Sequence, residues 1–199
     1  MNELWTIEAA ILDEGTEPIC GVDEAGRGPL AGPVCAAAVI LPRGWCPDGL
    51  NDSKKLTEKK RERLFDEITA NAISFGIAFA SVEEIESLNI LGATFLAMNR
   101  AIEQLNPQPA LALIDGNSGA GVNAPNRPII GGDGKCASIA AASILAKVTR
   151  DRYMLEMAEK YPQYGFEKHK GYGTKAHYAA IREFGTCPLH RLSFLKKMH

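Results

Sequence analysis

Four carboxylates stand where a folded chain could gather them: the adjacent pair Asp23 and Glu24, then Asp115, then Asp133. Each follows a short run of strand-forming residues. Nothing nearby in sequence neutralises all four. If the fold brings them together, their repulsion must be offset by cations. Carboxylate-only ligation suits hard, oxygen-seeking ions such as Mg²⁺ or Mn²⁺. Two such ions about 3.5–4 Å apart are a recurrent arrangement for phosphodiester cleavage, one activating water and the other stabilising the leaving oxygen. Spacing alone does not prove convergence, and isolated Asp115 and Asp133 also fit turn or N-cap roles.

The first pair opens a glycine-rich stretch, Gly26-Arg27-Gly28-Pro29-Leu30-Ala31-Gly32-Pro33. Such a loop lets backbone N–H groups approach a ligand, although a surface hairpin would use the same glycines. Asn51 to Thr57 could offer Lys54, Lys55 and two hydroxyls to phosphates, or form a solvated turn. Lys170-Gly171-Tyr172-Gly173-Thr174 sets an aromatic ring between glycines in a basic neighbourhood, which suits stacking on a base or sugar. A tyrosine packed at a helix hinge would read the same way.

Other chemistries find less support. There is no Gly-x-Ser-x-Gly elbow for a nucleophilic serine. Gly134-Lys135 is followed by Cys136, so a phosphate-binding Walker loop fails. Ser53 and Ser143 read as structural or phosphate-facing. His169, His177, His190 and His199 all fall in the C-terminal fifth and are weaker candidates. The five cysteines are scattered without Cys-x-x-Cys spacing, which disfavours zinc and favours a reducing, cytoplasmic setting. No segment nears the ~20 apolar residues of a membrane span, and residues 1–8 lack signal-peptide character. The net charge is −2, but residues 160–199 carry +6 and residues 1–159 carry −8. A basic tail beside an acidic body fits a polyanionic partner, as does a merely solvated basic helix.

The elements that must position these groups follow from patterning. With 199 residues, 46% of them hydrophobic, the chain suits one main domain. Residues 5–13 form a short helix. Residues 18–22 and 34–41 are strands in a long-looped hairpin. Residues 58–71 form an amphipathic helix capped by Thr57, and 74–80 a third strand. Ser81-Val-Glu-Glu is a capping box before a short helix, followed by a second over 90–105. Residues 110–114 are a strand ending at Asp115, and 127–132 a short strand before Asp133. A long helix runs from Ser138 to about Lys160, then a loop over 162–173 and a helix over 174–184. That is an α/β chain with a mixed sheet. It divides into an extension (1–16), a catalytic domain (17–160) and a basic helical C-terminal region (161–199).

Five stretches carry a family resemblance in order. They are Gly-Val-Asp-Glu-Ala-Gly-Arg-Gly-Pro-Leu-Ala-Gly-Pro-Val (21–34), Asp-Ser-Lys-Lys-Leu (52–56) and Ile-Asp-Gly (114–116). The fourth is Gly-Asp (132–133) before Ile-Ala-Ala-Ala-Ser-Ile-Leu-Ala-Lys-Val-Thr-Arg-Asp (139–151). The last is Gly-Tyr-Gly-Thr (171–174) before His-Arg-Leu-Ser-Phe (190–194). Over about residues 17–195 the chain closely resembles bacterial ribonuclease HII, the type 2 ribonuclease H.

The resemblance implies a ribonuclease H-like fold: a mixed five-stranded sheet flanked by helices, with a small helical C-terminal part. It implies an endonuclease that hydrolyses RNA in RNA–DNA hybrids and nicks 5′ to single ribonucleotides embedded in duplex DNA, and nothing in the sequence demands more than a monomer. Products carry 5′-phosphate and 3′-hydroxyl ends, and Mg²⁺ or Mn²⁺ ions, two in the active complex, assist. By matching position, Asp23, Glu24 and Asp115 are the core metal ligands and Asp133 completes the second site. Gly26, Arg27 and Gly28 match a loop that reads the ribose 2′-hydroxyl, the group that separates RNA from DNA. Tyr172 matches a tyrosine stacked at the RNA–DNA junction, while Lys54, Ser143 and Lys147 face phosphates. Two rival readings stand: a DNA nuclease of the resolvase or transposase kind, and a hybrid-binding module without catalysis. The Gly26-Arg27-Gly28 loop speaks against the first and the full carboxylate set against the second.

Overall fold

The structure is a computed structural model that describes residues 3–196, so Lys197 and His199 lie outside the described residues. Eleven named elements follow one another along the chain. They are α1 (Thr6–Asp13), β1 (Ile19–Ala25), β2 (Val34–Ile40), α2 (Glu58–Asn71), β3 (Ser74–Ala80), α3 (Val82–Glu103), β4 (Leu111–Asp115), β5 (Asn126–Ile129), α4 (Ala137–Lys160), α5 (Phe166–His169) and α6 (Lys175–Phe184).

The five strands form one mixed sheet in the order β3-β2-β1-β4-β5. β1 runs antiparallel to β2, and β2 antiparallel to β3. β4 runs parallel to β1 and β5 parallel to β4. β2 is buried along its whole length, as its unbroken apolar run Val34-Cys-Ala-Ala-Ala-Val-Ile requires. β1 lies at the centre, so the first carboxylate pair is delivered to the middle of the sheet.

Helices cover both faces. α1, α2 and α4 share one apolar core with Ile19, Val39 and Leu113, and α3 packs on the other face with Val22, Ala36 and Ile114. Leu64 and Ile68, one turn apart on α2, are fully buried, each contributing on the order of 1.5–3 kcal/mol. The helix starts where Thr57 accepts the Lys60 N–H and stops at Ala72. α4 approaches the sheet closely at Gly21, where an added Cβ would sit 2.1 Å from the Ser138 carbonyl carbon. A third cluster joins the distal half of α4 to the C-terminal region through Met154, Tyr164, Phe166 and Ile181. Among the described residues, no helix is long and apolar enough to cross a membrane.

Local patterning places most boundaries within a residue or two, and the exceptions have physical causes. The strand expected over 127–132 spans only Asn126–Ile129. Pro128 lacks an N–H and is tolerated because β5 is the sheet edge. Gly131 then turns left-handed and Gly132–Gly134 forms one 3₁₀ turn that carries Asp133. The stretch 162–173 is not a plain loop, since it holds a 3₁₀ turn at Pro162–Tyr164 and the single-turn α5. The two helices expected between 82 and 105 abut with a kink at Asn89 (φ 58°), whose side chain accepts the Leu91 and Gly92 N–H groups and so starts the second. α1 packs into the main core through Ile11 and Leu12, with Trp5 just before it.

Candidate metal and substrate site

The carboxylates converge through sheet register. Val22 pairs with Ile114 in the parallel β1/β4 ladder, so Asp23 stands beside Asp115, the last residue of β4. β1 runs on to Ala25, paired with β2, so Asp23 lies inside the strand and not at the end expected at residue 22. The 3₁₀ turn after β5 brings Asp133 to the same place, fixed by the Gly132 N–H donating to Asp115 Oδ1 at 2.7 Å. One oxygen from each of Asp23, Asp115 and Asp133 lies within 4.8 Å of the others. Among the described residues this is the one such grouping of potential metal ligands.

Glu24 stands outside that trio. Successive strand residues point to opposite faces, and Glu24 turns instead to Arg27, whose Nη1 is 3.3 Å away. It still borders the same cleft, a cavity of about 340 Å³. Asp23, Gly26, Arg27, Gly28 and Tyr172 line it as well, with Lys54, Ser143 and Lys147 on its walls. The residues expected to bind substrate are therefore brought together. Tyr172 is 47% exposed, an aromatic face open to solvent. A cavity of about 420 Å³ under α1, lined by Trp5, Leu12 and Ile19, lies at the other end of β1.

The electrostatics show the strain of gathering like charges. The Asp23 carboxyl is pushed well above its ordinary range, first by burial and then by the charges of Glu24 and Asp115. A Ser143 hydrogen bond and the Glu24 N–H, at 2.7 Å, oppose that rise. Ser53 Oγ stands 2.9 Å from Ser143 Oγ and supports it from behind. The Glu24 carboxyl is raised by burial and partly restored by Arg27. The Asp133 carboxyl is raised by burial, Asp115 and Asp52. Lys54 faces this field, and the charges of Asp133, Asp23, Asp52 and Asp115 lift its ammonium despite desolvation. Lys147 is tied to Asp151 at 2.7 Å. The donor set is all oxygen and strongly anionic, so the site fits a hard divalent cation and no soft one.

Two buried guanidiniums shape the glycine loop, and neither is marked by local pattern. Arg191 donates to the carbonyls of Gly26 (2.6 Å), Arg27 (3.0 Å), Pro29 (2.8 Å) and Gly32 (2.9 Å). Arg150 donates to Ala31 (3.0 Å), Pro33 (3.0 Å) and Lys170 (3.1 Å). Burial presses the Arg191 guanidinium down to about 9, which leaves it charged at neutral pH. Gly26 sits at φ +102°, and an added Cβ would lie 2.1 Å from Arg150 Nε. Gly26→Ala is expected to cost at least about 1–2 kcal/mol for the left-handed backbone alone. Displacement of Arg150 adds to that. A melting temperature equal to wild type in circular dichroism would contradict this.

The described histidines, His169, His177 and His190, prove to be structural, and His199 lies outside the described residues. The Tyr172 carbonyl can only accept, so His177 Nδ1, 2.9 Å away, carries the proton. His177 Nε2 then accepts from His190 Nε2–H at 3.1 Å. His190 Nδ1 in turn accepts the Cys187 N–H at 2.9 Å. His169 stacks on His177 and accepts the Gly171 N–H. This relay needs neutral rings, and burial presses His177 down to about 4. Between that value and the ordinary ~6.5 the unfolded chain binds more protons than the native one. The relay's stabilisation is therefore complete above pH 6.5 and lost as pH falls toward 4. Thermal melts from pH 7 to 4 should show this slope, and His177→Gln, which can donate and accept without titrating, should flatten it. An unchanged slope in that variant would remove His177 as its source.

Local pattern also missed Glu8, a fully buried carboxylate on α1. It accepts the Ala137 N–H at 2.8 Å, the Ser138 N–H at 3.0 Å and the Ser138 hydroxyl. It thus caps α4 from 129 residues away.

The chain has clear relatives. The family model described as "Ribonuclease HII" matches residues 20–197. A ribonuclease HII of Caldicellulosiruptor bescii is 54% identical over 194 residues, covering 98% of this chain and 94% of the relative. One of Burkholderia pseudomallei is 58% identical over 189 residues, covering 95% and 88%. Among solved structures, the ribonuclease H2 from Pyrococcus horikoshii OT3 superposes with a TM-score of 0.71 at 25% identity, covering 88% of this chain and 92% of that one. The structure titled Bst-RNase HIII in complex with Mn²⁺ shares the fold, with a TM-score of 0.72 at 21% identity over 88% and 66%.

Proposed function

The chain belongs to the ribonuclease HII family and is an endoribonuclease of the ribonuclease H type; from that premise we propose that it hydrolyses the RNA strand of RNA–DNA hybrids and nicks duplex DNA 5′ to a single embedded ribonucleotide. The cut leaves a 3′-hydroxyl and a 5′-phosphate. The observation that carries this reading is the convergence of three carboxylates beside a loop with exposed backbone donors and a free aromatic face.

The family works with divalent metal. In this chain Asp23, Asp115 and Asp133 would hold Mg²⁺ or Mn²⁺, two ions in the active complex, with Glu24 able to join from the same cleft. Bound there, such ions activate water and offset charge on the phosphate. The remaining work falls to the chain's own groups. Gly26, Arg27 and Gly28 bring main-chain groups to the ribose 2′-hydroxyl, the atom that distinguishes the substrate from DNA. Tyr172 stacks at the junction. Lys54 and Lys147 place positive charge, and Ser143 a hydroxyl, near the phosphates. All these groups come from one chain, which supports action as a monomer. The five free cysteines support a cytoplasmic setting.

Gly28 offers a local test. A Cβ there would meet only Tyr172 Cε1, at 3.6 Å. Gly28→Ala should fold like wild type yet lose about tenfold or more in kcat/KM, equal to about 1.4 kcal/mol, because the methyl narrows the gap between loop and ring. Steady-state kinetics would decide, and unchanged kcat/KM would remove that gap from the substrate path.

The deciding experiment uses a labelled DNA duplex with one embedded ribonucleotide beside an all-DNA control, each with Mg²⁺, Mn²⁺ or a chelator. A metal-dependent nick 5′ to the ribonucleotide, absent from the control, is expected. Cutting of the all-DNA duplex would replace this reading with a resolvase-like one. Binding without any cut would leave a recognition module.

A further inference from the structure

We infer that Arg191, with Arg150 beside it, is a positioning residue for 2′-hydroxyl selection: it draws the loop's carbonyls inward and so turns the Arg27 and Gly28 N–H groups out into the cleft. This rests on the function proposed above and adds the device that creates the selectivity.

In a trans peptide unit the C=O and the next residue's N–H point in opposite directions, and the Gly26–Arg27 and Arg27–Gly28 bonds are trans. Arg191 takes the carbonyls of Gly26 and Arg27. The Arg27 and Gly28 N–H groups of those same units must therefore face away from the guanidinium. Arg27 and Gly28 are exposed and border the cleft. Their N–H groups have no acceptor among the described residues. Further along, the loop's donors are used internally: Leu30 N–H binds the Gly171 carbonyl and Gly32 N–H the Leu189 carbonyl, both at 2.8 Å. The loop thus keeps two adjacent free donors beside the cleft that Asp23, Glu24 and Tyr172 also line.

The guanidinium suits this role for a chemical reason. Its donors spread in a planar fork and reach four carbonyls at once. Among the described residues, every hydrogen-bond partner of the two buried guanidiniums is a main-chain carbonyl. A buried charge must be compensated, and here the loop's own dipoles do so. Arg150 extends the clamp to the Lys170 carbonyl, two residues before Tyr172. The donors and the stacking ring are therefore held against one frame. The arginine comes from the far end of the chain, where Arg191 N–H binds the Leu30 carbonyl and His190 bridges to Ala31.

The test compares Arg191→Lys with Arg191 protein, both carrying Asp23→Asn to prevent cutting. Lysine keeps the charge but offers its donors from one nitrogen and cannot span four carbonyls. Affinities are measured for duplex DNA with one ribonucleotide and for the all-DNA duplex, and the ratio is the readout. The ratio should fall tenfold or more in Arg191→Lys. A folded variant whose ratio stays within twofold of its parent overturns the inference. Amide NMR of the Arg191 protein supplies a second readout that does not require the variant to fold. The Arg27 and Gly28 N–H signals should shift with the ribonucleotide duplex and not with the all-DNA one, and equal or absent shifts overturn the inference. If wild-type protein shows no ribonucleotide-dependent cutting, the underlying functional reading fails instead.

Discussion

Asp23→Asn is expected to reduce turnover at least a thousandfold while raising the melting temperature of the metal-free protein. The two effects share one origin. Burial of Asp23, and after it the charges of Glu24 and Asp115, push its carboxyl well upward. A carboxyl raised above its unfolded value of about 3.9 binds more protons in the native state, so stability falls as pH rises through that window. At neutral pH the metal-free fold therefore carries the cost of a crowded negative charge. Asparagine keeps the shape and can still accept the Glu24 N–H, and it removes the repulsion. Each kcal/mol relieved should raise the melting temperature by about 2–4 °C. The same change deletes an anionic oxygen from the Asp23, Asp115 and Asp133 trio. Metal-assisted charge stabilisation amounts to several kcal/mol, and about 4 kcal/mol corresponds to a thousandfold. Single-turnover cleavage and thermal melts, each with and without Mn²⁺, would check both halves. Wild-type turnover, or a lower melting temperature without metal, would remove Asp23 from the role assigned to it.

Glu8→Ala should be the most destabilising change remote from the carboxylates, by about 3–4 kcal/mol. It strands two buried N–H donors and a hydroxyl at the start of α4. Hydrogen bonds to a charged acceptor contribute about 1.5–3 kcal/mol each, less when they share one group. The carboxylate also opposes the positive end of the helix dipole. Glu8→Gln should cost less, since its amide keeps one acceptor oxygen but sets an NH₂ against a backbone donor. Activity should fall with stability, because α4 carries Ser143 and Lys147 to the cleft. Denaturant unfolding of both variants would check the order, and a Glu8→Ala protein as stable as wild type would show that α4 needs no such cap.

Legibility in the sequence divides by distance along the chain. The Ser81 capping box, the Thr57 cap and the unbroken apolar β2 run were readable because their partners lie within a few residues or in one pattern. The carboxylates at strand ends were readable as candidates for the same reason. That Asp23, Asp115 and Asp133 meet came only as what the family resemblance implies, and that Glu24 turns to Arg27 was not readable at all. The meeting depends on the β1/β4 register and on a 3₁₀ turn that begins where the strand expected over 127–132 was to end. Arg150 and Arg191 fall inside two of the family stretches, but nothing local marks what they bind, and Glu8 looks like an ordinary charged residue. Apart from Lys170, 20 residues from Arg150, their partners lie 117 to 165 residues away, where no periodicity reaches.

The sequence by itself therefore determined the order of the elements, the α/β class, the all-oxygen chemistry of the site and, through five ordered motifs, the family. Those follow from residue types and from spacings shorter than a helix. Only the tertiary structure decided which acids share one point, which way the glycine loop turns its donors, and what caps α4. Each of these is a contact between distant segments, set by sheet register and by buried charges that must find partners wherever the fold supplies them.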